Sequence, residues 1–234
     1  MALLGSIAFN LIFYSSLIPI SIVIIVTYFF VSTKTLQTIS SYWIKFILLS
    51  LKFLCRVSWK VEGETNIPKS PCIIVSNHQG QWESFFIQTL SIPSTSIIKR
   101  ELLYIPFFGW ALKCMRPITL NRKNKFSSIK KVIEKGVART QEGFNIILFP
   151  EGTRINPGNG IQQFANSCGV LSVKAGVPII PICHNSGNFW KNKHFIKYPG
   201  EIMVKIGPPI YGDDAKELTG KAYEWIKKNY LNID

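Results

Sequence analysis

Residues 1–33 contain no Asp, Glu, Lys or Arg, and the stretch from Ile7 to Val31 is almost entirely apolar. A helix of about 20 apolar residues spans the hydrocarbon core of a bilayer, so this stretch predicts a membrane helix. A cleavable signal peptide fits poorly, because no basic residue precedes the apolar run and the run is too long. Both a full crossing and a dip into one leaflet are compatible with the pattern.

The next stretch, Leu36 to Trp59, is amphipathic. Lys45, Lys52 and Arg56 share one helical face, and most of the remaining positions are apolar. This pattern is typical of a helix in the membrane interface, although a helix that covers a protein core shows it too. Since the basic residues all follow the first apolar run, the positive-inside rule places the rest of the chain on the cytoplasmic side.

Strand-like and helix-like patterns alternate after residue 56. The strands are predicted at 72–76, 95–99, 117–120, 144–149, 177–183 and 201–206. The helices are predicted at 83–91, 101–114, 125–141, 162–175 and 214–230. This alternation is typical of an α/β fold with a central, mostly parallel sheet flanked by helices. We therefore divide the chain into a two-helix membrane anchor (1–56) and an α/β domain (57–234).

Lys and Arg number 27 against 13 Asp and Glu, which gives a net charge of +14. Such a balance suits an anionic membrane surface, a phosphorylated substrate or nucleic acid. The basic residues are dispersed and form no stripe, which argues against nucleic acid as a partner. The five cysteines contain no C-x-x-C pair, and we interpret them as reduced core residues. We expect no metal site, because Cys183 and His184 are adjacent and lack ligand spacing.

The first histidine of the chain, His78, follows the predicted strand at 72–76, and Glu83 comes five residues later. A neutral imidazole can accept a proton near pH 7. A carboxylate on its other nitrogen fixes the tautomer and stabilises the imidazolium. Five residues do not fit one helical face, so we expect a tight turn that folds Glu83 back onto His78. Taken alone, the pair also fits a surface histidine beside a helix-start glutamate.

A second motif, Phe-Pro-Glu-Gly-Thr-Arg at 149–154, follows the predicted strand at 144–149. Open α/β sheets bind ligands at the carboxyl ends of their strands. Gly152 allows close approach of the backbone, and Arg154 offers a planar fork for a phosphate. Glu151 is an acceptor for a substrate hydroxyl or a partner that holds the arginine. A plain salt-bridged turn is the structural alternative.

Together these segments resemble the glycerolipid acyltransferases. A His-x4-acid motif followed about 70 residues later by Phe-Pro-Glu-Gly-Thr-Arg is the signature of that family. The chain most resembles the bacterial 1-acyl-sn-glycerol-3-phosphate acyltransferases, also called lysophosphatidic acid acyltransferases. Residues 99–110, running on to Arg122, resemble a second family block, and 177–182 resemble a fourth. The resemblance covers about residues 57–210, and Glu83 stands where most members have Asp.

The resemblance implies direct transfer of an acyl group from acyl-CoA or acyl-carrier protein to lysophosphatidic acid, which gives phosphatidic acid. His78 is expected to be the general base, and Glu83 is expected to orient it. The residues expected to bind substrate are Lys99, Arg100, Arg122, Glu151, Gly152, Thr153 and Arg154. No metal or cofactor is expected, since the acyl donor is itself a substrate. The protein is expected at a membrane, with its catalytic domain on the cytoplasmic face (the inner membrane in a bacterium).

Three other functions fit parts of the same pattern. An acyltransferase for another lysophospholipid or for glycerol-3-phosphate would carry the same blocks. A hydrolase that uses water in place of the lipid hydroxyl would share the His78–Glu83 pair. A membrane-tethered binding protein without catalysis would explain the charge but leaves that pair without a role.

Overall fold

The structure, a computed structural model, describes residues 2–121 and 125–230. The strands in these residues are β1 (Val57–Glu62), β2 (Ile73–Ser76), β3 (Ser94–Lys99), β4 (Ile118–Leu120), β5 (Asn145–Leu148), β6 (Ile179–His184) and β7 (Gly200–Ile206). They form one sheet in the order β1-β7-β6-β2-β5-β3-β4. The pairs are parallel except for β6 and β7, which run antiparallel. The predicted α/β fold with a mostly parallel sheet is confirmed.

Helices cover both faces of this sheet. The α-helices of the described residues are α1 (Ala2–Thr27), α2 (Thr33–Cys55), α3 (Trp82–Leu90), α4 (Phe108–Cys114), α5 (Lys125–Gln141), α6 (Ser167–Ala175) and α7 (Ala215–Asn229). Short 3-10 helices include Arg100–Tyr104 and Ser186–Asn188. Two predicted helices therefore need correction. The one at 101–114 is a 3-10 helix followed by α4, and the one at 162–175 begins only at Ser167.

The end of the second helix also differs from its prediction. α2 stops at Cys55 and does not reach Trp59, because Arg56 adopts the left-handed conformation with φ 56°. The chain then enters β1, a strand that the sequence pattern did not reveal. β1 pairs in parallel with β7, with Val57 opposite Gly200. The residues from Val57 to Trp59 therefore belong to a strand at the sheet edge and not to the amphipathic helix.

The buried strands divide the core into two clusters because successive side chains point to opposite faces. In β2, Ile73 and Val75 face one cluster and Ile74 faces the other. The first cluster packs α1, α2 and α3 on the sheet and includes Phe9, Ile47, Leu51, Trp82 and Phe86. The second packs α5, α6 and α7 and includes Val132, Cys168, Leu171, Leu218 and Ile226. All five cysteines are free, as interpreted from the sequence, and four of them are buried, whereas Cys114 is only partly buried.

The two N-terminal helices are long and apolar enough to cross a membrane, judged by length and composition. Each also buries one face in the core that it shares with the sheet. In α2, Ile47 and Leu51 are buried, whereas Phe46 and Phe53 are exposed. The second helix therefore has both a face that covers the protein core and an outer apolar face. The outer apolar faces indicate membrane association. The inner faces share one hydrophobic core with the sheet, so the chain has no separate core on the N-terminal side of residue 56 in its described part.

A buried lysine fastens α1 to the body. Lys197 lies between β6 and β7 and is 2% exposed. Its Nζ donates to Asn10 Oδ1 and to the carbonyl oxygen of Phe195, both at 2.8 Å. The ring centroids of Phe9 and Trp190 lie 5.4 and 5.2 Å from Nζ, a distance at which aromatic faces attract a cation. This ammonium group thus joins the first helix to the segment of chain that connects β6 and β7.

Replacing Lys197 by methionine should lower the melting temperature in detergent. The thioether keeps an apolar chain of similar length but leaves Asn10 Oδ1 without its donor, which costs about 1–3 kcal/mol, while the Phe195 carbonyl keeps only the Asn10 Nδ2 donor at 3.2 Å. For a chain of this size that corresponds to a fall of several degrees. Lys191→Met is the matched control, since Lys191 is exposed and lies over the Tyr198 ring. Equal melting temperatures for both variants would contradict the bridging role of Lys197.

Candidate active site

The candidate site lies at the carboxyl edge of the parallel strands. β2 lies between β5 and β6 and leads into the loop that carries His78. In the ladder between β2 and β5, Val75 is level with Leu148. Because the two strands are parallel, the loops that follow them leave the sheet side by side. The motif at 149–154 therefore lies beside the His78 loop, at the edge where such sheets bind ligands.

The predicted turn that folds Glu83 onto His78 is present. His78 Nδ1 lies 2.9 Å from Glu83 Oε1, and Glu83 is in the first turn of α3. A carboxylate can only accept, so the proton of the neutral imidazole is assigned to Nδ1 and the lone pair to Nε2. The imidazole ring also stacks on Phe149, with centroids 4.2 Å apart and planes 19° apart. Two contacts thus fix the ring, while its side chain remains 16% exposed.

Glu83 is completely buried, yet its carboxylate has donors on both oxygens. Oε1 accepts from the backbone N–H groups of Gln79 at 2.8 Å and Gly80 at 2.6 Å, in addition to His78. Oε2 accepts from the Ser186 hydroxyl at 2.8 Å. Burial by itself raises the pKa of Glu83, but its hydrogen bonds, above all the one from His78, outweigh the burial and hold the pKa well below its usual range. The carboxylate is therefore ionised at neutral pH.

Glu151 supports the backbone of His78. Its Oε2 accepts from the His78 N–H at 2.8 Å, and its Oε1 accepts from the Gln162 N–H at 3.1 Å. Burial raises the pKa of Glu151 to about 7, the two N–H donors oppose the shift, and the charge of Glu83 adds to it. The sequence suggested a substrate acceptor or a partner for Arg154. The contacts of the described residues give Glu151 a third role, as a brace between the two motifs.

Three of the four candidate cations lie at exposed positions along this edge. Arg154 is exposed, and its Nη1 donates to Asn192 Oδ1 at 3.1 Å. The Ile155 N–H donates to the His78 carbonyl at 2.7 Å, which ties the arginine turn to the histidine loop. Gly152 has φ +68°, a conformation that glycine adopts without strain, and it is exposed like its neighbour Thr153.

Two further cations end β3, which lies on the far side of β5 from β2. Lys99 and Arg100 are exposed at the same sheet edge. Arg122 lies outside the described residues. The structure thus joins His78, Glu83 and Glu151 directly, whereas the substrate-binding roles of the rim residues stay predictions.

A buried polar framework behind the histidine escaped the sequence analysis. The Asn77 side chain donates to the His184 carbonyl at 2.9 Å and accepts from the His184 N–H at 3.1 Å. His184 Nε2 in turn lies 2.9 Å from the Asn77 carbonyl. Gln79 Nε2 donates to the Tyr230 hydroxyl at 2.8 Å. These partners are more than 100 residues apart along the chain, and no local pattern points to them.

His184 therefore has a structural place in this framework. Burial lowers its pKa, so the imidazole is neutral and uses one nitrogen as donor and the other as acceptor. The acceptor nitrogen, Nδ1, receives the Ser186 N–H at 3.3 Å. Among the described residues no group of three or more His, Cys, Asp or Glu could hold a metal ion. The expected absence of a metal requirement stays a prediction from the sequence.

Comparison with known proteins identifies similar chains. A family model described as Acyltransferase matches residues 58–185. A 1-acyl-sn-glycerol-3-phosphate acyltransferase of Pseudomonas aeruginosa is 36% identical over 196 residues, which are 82% of this chain and 76% of that protein. The enzyme of the same name from Escherichia coli is 28% identical over 80% of this chain and 76% of its own length.

The fold also has a solved counterpart. The crystal structure of the 1-acyl-sn-glycerophosphate acyltransferase PlsC from Thermotoga maritima superimposes with a TM-score of 0.80. The match covers 97% of this chain and 93% of the other, at 22% sequence identity. The coverage includes the N-terminal helices, so their arrangement with the sheet belongs to the shared fold.

The raised pKa of Glu151 predicts a particular pH dependence of stability. Between the ordinary value of 4.5 and about 7, the carboxyl is protonated when folded and ionised when unfolded. The folded state then binds more protons, so the contribution of Glu151 to stability is lost as pH rises through this window and is constant above it. The melting temperature of the wild type relative to Glu151→Gln should fall correspondingly. Glu142→Gln, at an exposed salt bridge, is the control. A relative melting temperature that rises through this window would show that the hydrogen bonds dominate over burial.

Proposed function

The chain belongs to the acyltransferase family, and on that basis we propose that it makes phosphatidic acid. In this reaction a fatty acyl group passes from the thioester of CoA or of acyl-carrier protein to the sn-2 hydroxyl of 1-acyl-sn-glycerol-3-phosphate. The observation that carries the proposal is the His78–Glu83 pair, held at 2.9 Å beside the Phe-Pro-Glu-Gly-Thr-Arg turn. The names of the relatives support the choice of acceptor.

His78 acts as the general base in the proposed mechanism. Its Nε2 takes the proton of the acceptor hydroxyl as that oxygen attacks the thioester carbonyl. Glu83 stabilises the imidazolium through Nδ1. When the tetrahedral intermediate collapses, the C–S bond breaks and the imidazolium returns the proton to the departing thiolate. An ester bond has formed, a thioester bond has broken, and the enzyme is regenerated without a covalent acyl-enzyme.

The cations of the rim receive the acceptor's phosphate. A phosphomonoester carries nearly two negative charges near pH 7, and arginine can bind two of its oxygens at once. Arg154 is the first choice because its turn is hydrogen-bonded to the His78 segment. Lys99 and Arg100 complete the phosphate site from the end of β3, and Arg122 belongs to the same proposed set. Gly152, Thr153 and the backbone around Glu151 surround the glycerol part.

The N-terminal helices bring this site to its substrates. Both the lysophospholipid and the acyl chain are amphiphiles of the membrane surface, whereas the thioester carrier is soluble. We assign α1 and α2 to the membrane and the sheet to its cytoplasmic side, since Lys34, Lys45 and Lys52 follow the uncharged first helix. Basic residues in this position also attract anionic lipid. The reaction as proposed needs neither a metal nor a bound cofactor.

His78→Ala should abolish most of the transfer of radiolabelled acyl groups to lysophosphatidate in detergent micelles. General-base catalysis contributes about 10²–10⁴-fold, so kcat should fall by that factor while the melting temperature changes little. His194→Ala is the control, because His194 is an exposed histidine outside the site. Turnover of the His78 variant near that of the wild type would remove this residue from the mechanism.

Arg154→Ala should raise the KM for lysophosphatidate far more than the KM for the acyl donor. Arg154→Lys should restore part of the loss, because a single ammonium replaces the charge but not the planar fork. Arg139→Ala, at a surface salt bridge with Glu142, should leave both constants unchanged. Steady-state kinetics with each substrate varied in turn separate the two terms. A defect confined to the donor's KM would place Arg154 at the phosphates of the acyl carrier.

A further inference from the structure

Ser186 makes a contact with the catalytic pair that the proposed mechanism does not use. Its hydroxyl donates to Glu83 Oε2 at 2.8 Å, and both residues are completely buried. Ser186 lies 103 residues after Glu83, in the 3-10 helix that follows β6. It is also one residue beyond the segment that the family model matches. Its position in the sequence therefore gives no indication of a role in the site.

The backbone around Ser186 is held independently of Glu83. The Ser186 N–H donates to His184 Nδ1, and His184 is joined to Asn77 by three hydrogen bonds. On the other side the Gly187 N–H donates to Gln79 Oε1 at 2.9 Å. The hydroxyl of Ser186 is thus presented to Glu83 by a turn that is attached to residues on both sides of His78. A donor fixed in this way can impose an orientation on the carboxylate.

Glu83 has a particular need for a second point of attachment. A glutamate side chain has three torsions, one more than aspartate, so its carboxylate is harder to hold in one orientation. Oε1 is the oxygen that contacts His78 and two backbone N–H groups. A partial rotation about the last torsion would move Oε1 away from His78, and the Ser186 hydroxyl on Oε2 opposes that rotation. A buried donor to a charged acceptor is a strong restraint.

We propose that Ser186 is a positioning residue for catalysis, which holds the Glu83 carboxylate so that His78 keeps the orientation and tautomer of a general base. This inference rests on the proposed role of His78. Ser186 itself does not attack the acyl donor, because its oxygen is buried and its hydroxyl is held in a hydrogen bond to Glu83. Two hydrogen bonds thus connect the turn after β6 to the imidazole, one from Ser186 to the Glu83 carboxylate and one between that carboxylate and His78.

The test compares Ser186→Ala with a matched serine elsewhere. Ser186→Ala should lower kcat about 10-fold, the lower end of the loss that follows removal of a group that orients a metal-ligating histidine, with both KM values within about 2-fold of wild type. Ser172→Ala also removes a buried hydroxyl, one on α6 that donates to the Val177 carbonyl. It should lower the melting temperature without changing kcat. Ser186→Thr, which retains a hydroxyl, should recover more of kcat than Ser186→Ala.

A double-mutant cycle separates positioning from support of the fold. If Ser186 acts through Glu83, Ser186→Ala should have little further effect on kcat in a Glu83→Gln background. An equal loss of kcat in both backgrounds, or a wild-type kcat for Ser186→Ala, would overturn the inference. If Ser186→Ala fails to fold, the cycle is run with Ser186→Cys, whose thiol is a weaker donor of similar size. These outcomes are distinguishable from a failure of the proposed function. Full activity of His78→Ala would show that His78 is not the base, whereas the outcomes of this cycle concern Ser186 alone.

Discussion

The ionised carboxylate of Glu83, enclosed without contact to solvent, is the constraint on which the site depends. A charge removed from water is costly unless donors replace the lost hydration. Here the donors are the imidazole of His78, the N–H groups of Gln79 and Gly80, and the hydroxyl of Ser186. Since these groups come from two separate segments, satisfying one charge specifies the loop after β2 and the turn after β6 together. The same contacts orient the proposed base.

The N-terminal helices are part of the same packing problem. Trp82, next to Glu83, is completely buried in the cluster that also contains Ile47 and Leu51 of α2. The first helix is held in its N-terminal half, where Asn10 accepts from Lys197 and Phe9 packs against Trp190. The apolar helices therefore present an outer face to their surroundings and an inner face to the catalytic domain. A membrane-associated segment that completes the core can keep the site at a constant height above the bilayer.

Short-range patterns were sufficient for much of this molecule. The uncharged first helix, the amphipathic second one and the alternation of strands and helices are periodicities that the chain shows locally. The spacing between His78 and Glu83 implied the turn that joins them, because five residues exclude a common helical face. The Phe-Pro-Glu-Gly-Thr-Arg motif after a strand implied a site at the carboxyl edge of the sheet. Each of these inferences depends on residues within a few positions of one another.

The tertiary structure decided the contacts that depend on strand order. β1 escaped notice because its place is set by pairing with β7, about 140 residues away. Glu151 contacts the His78 N–H because β5 lies beside β2, and the sequence alone favoured a substrate or Arg154 as its partner. Ser186 reaches Glu83 for the same reason, since β6 is the other neighbour of β2. A hydrogen bond between distant residues follows from which strands are adjacent, and local periodicity does not encode adjacency.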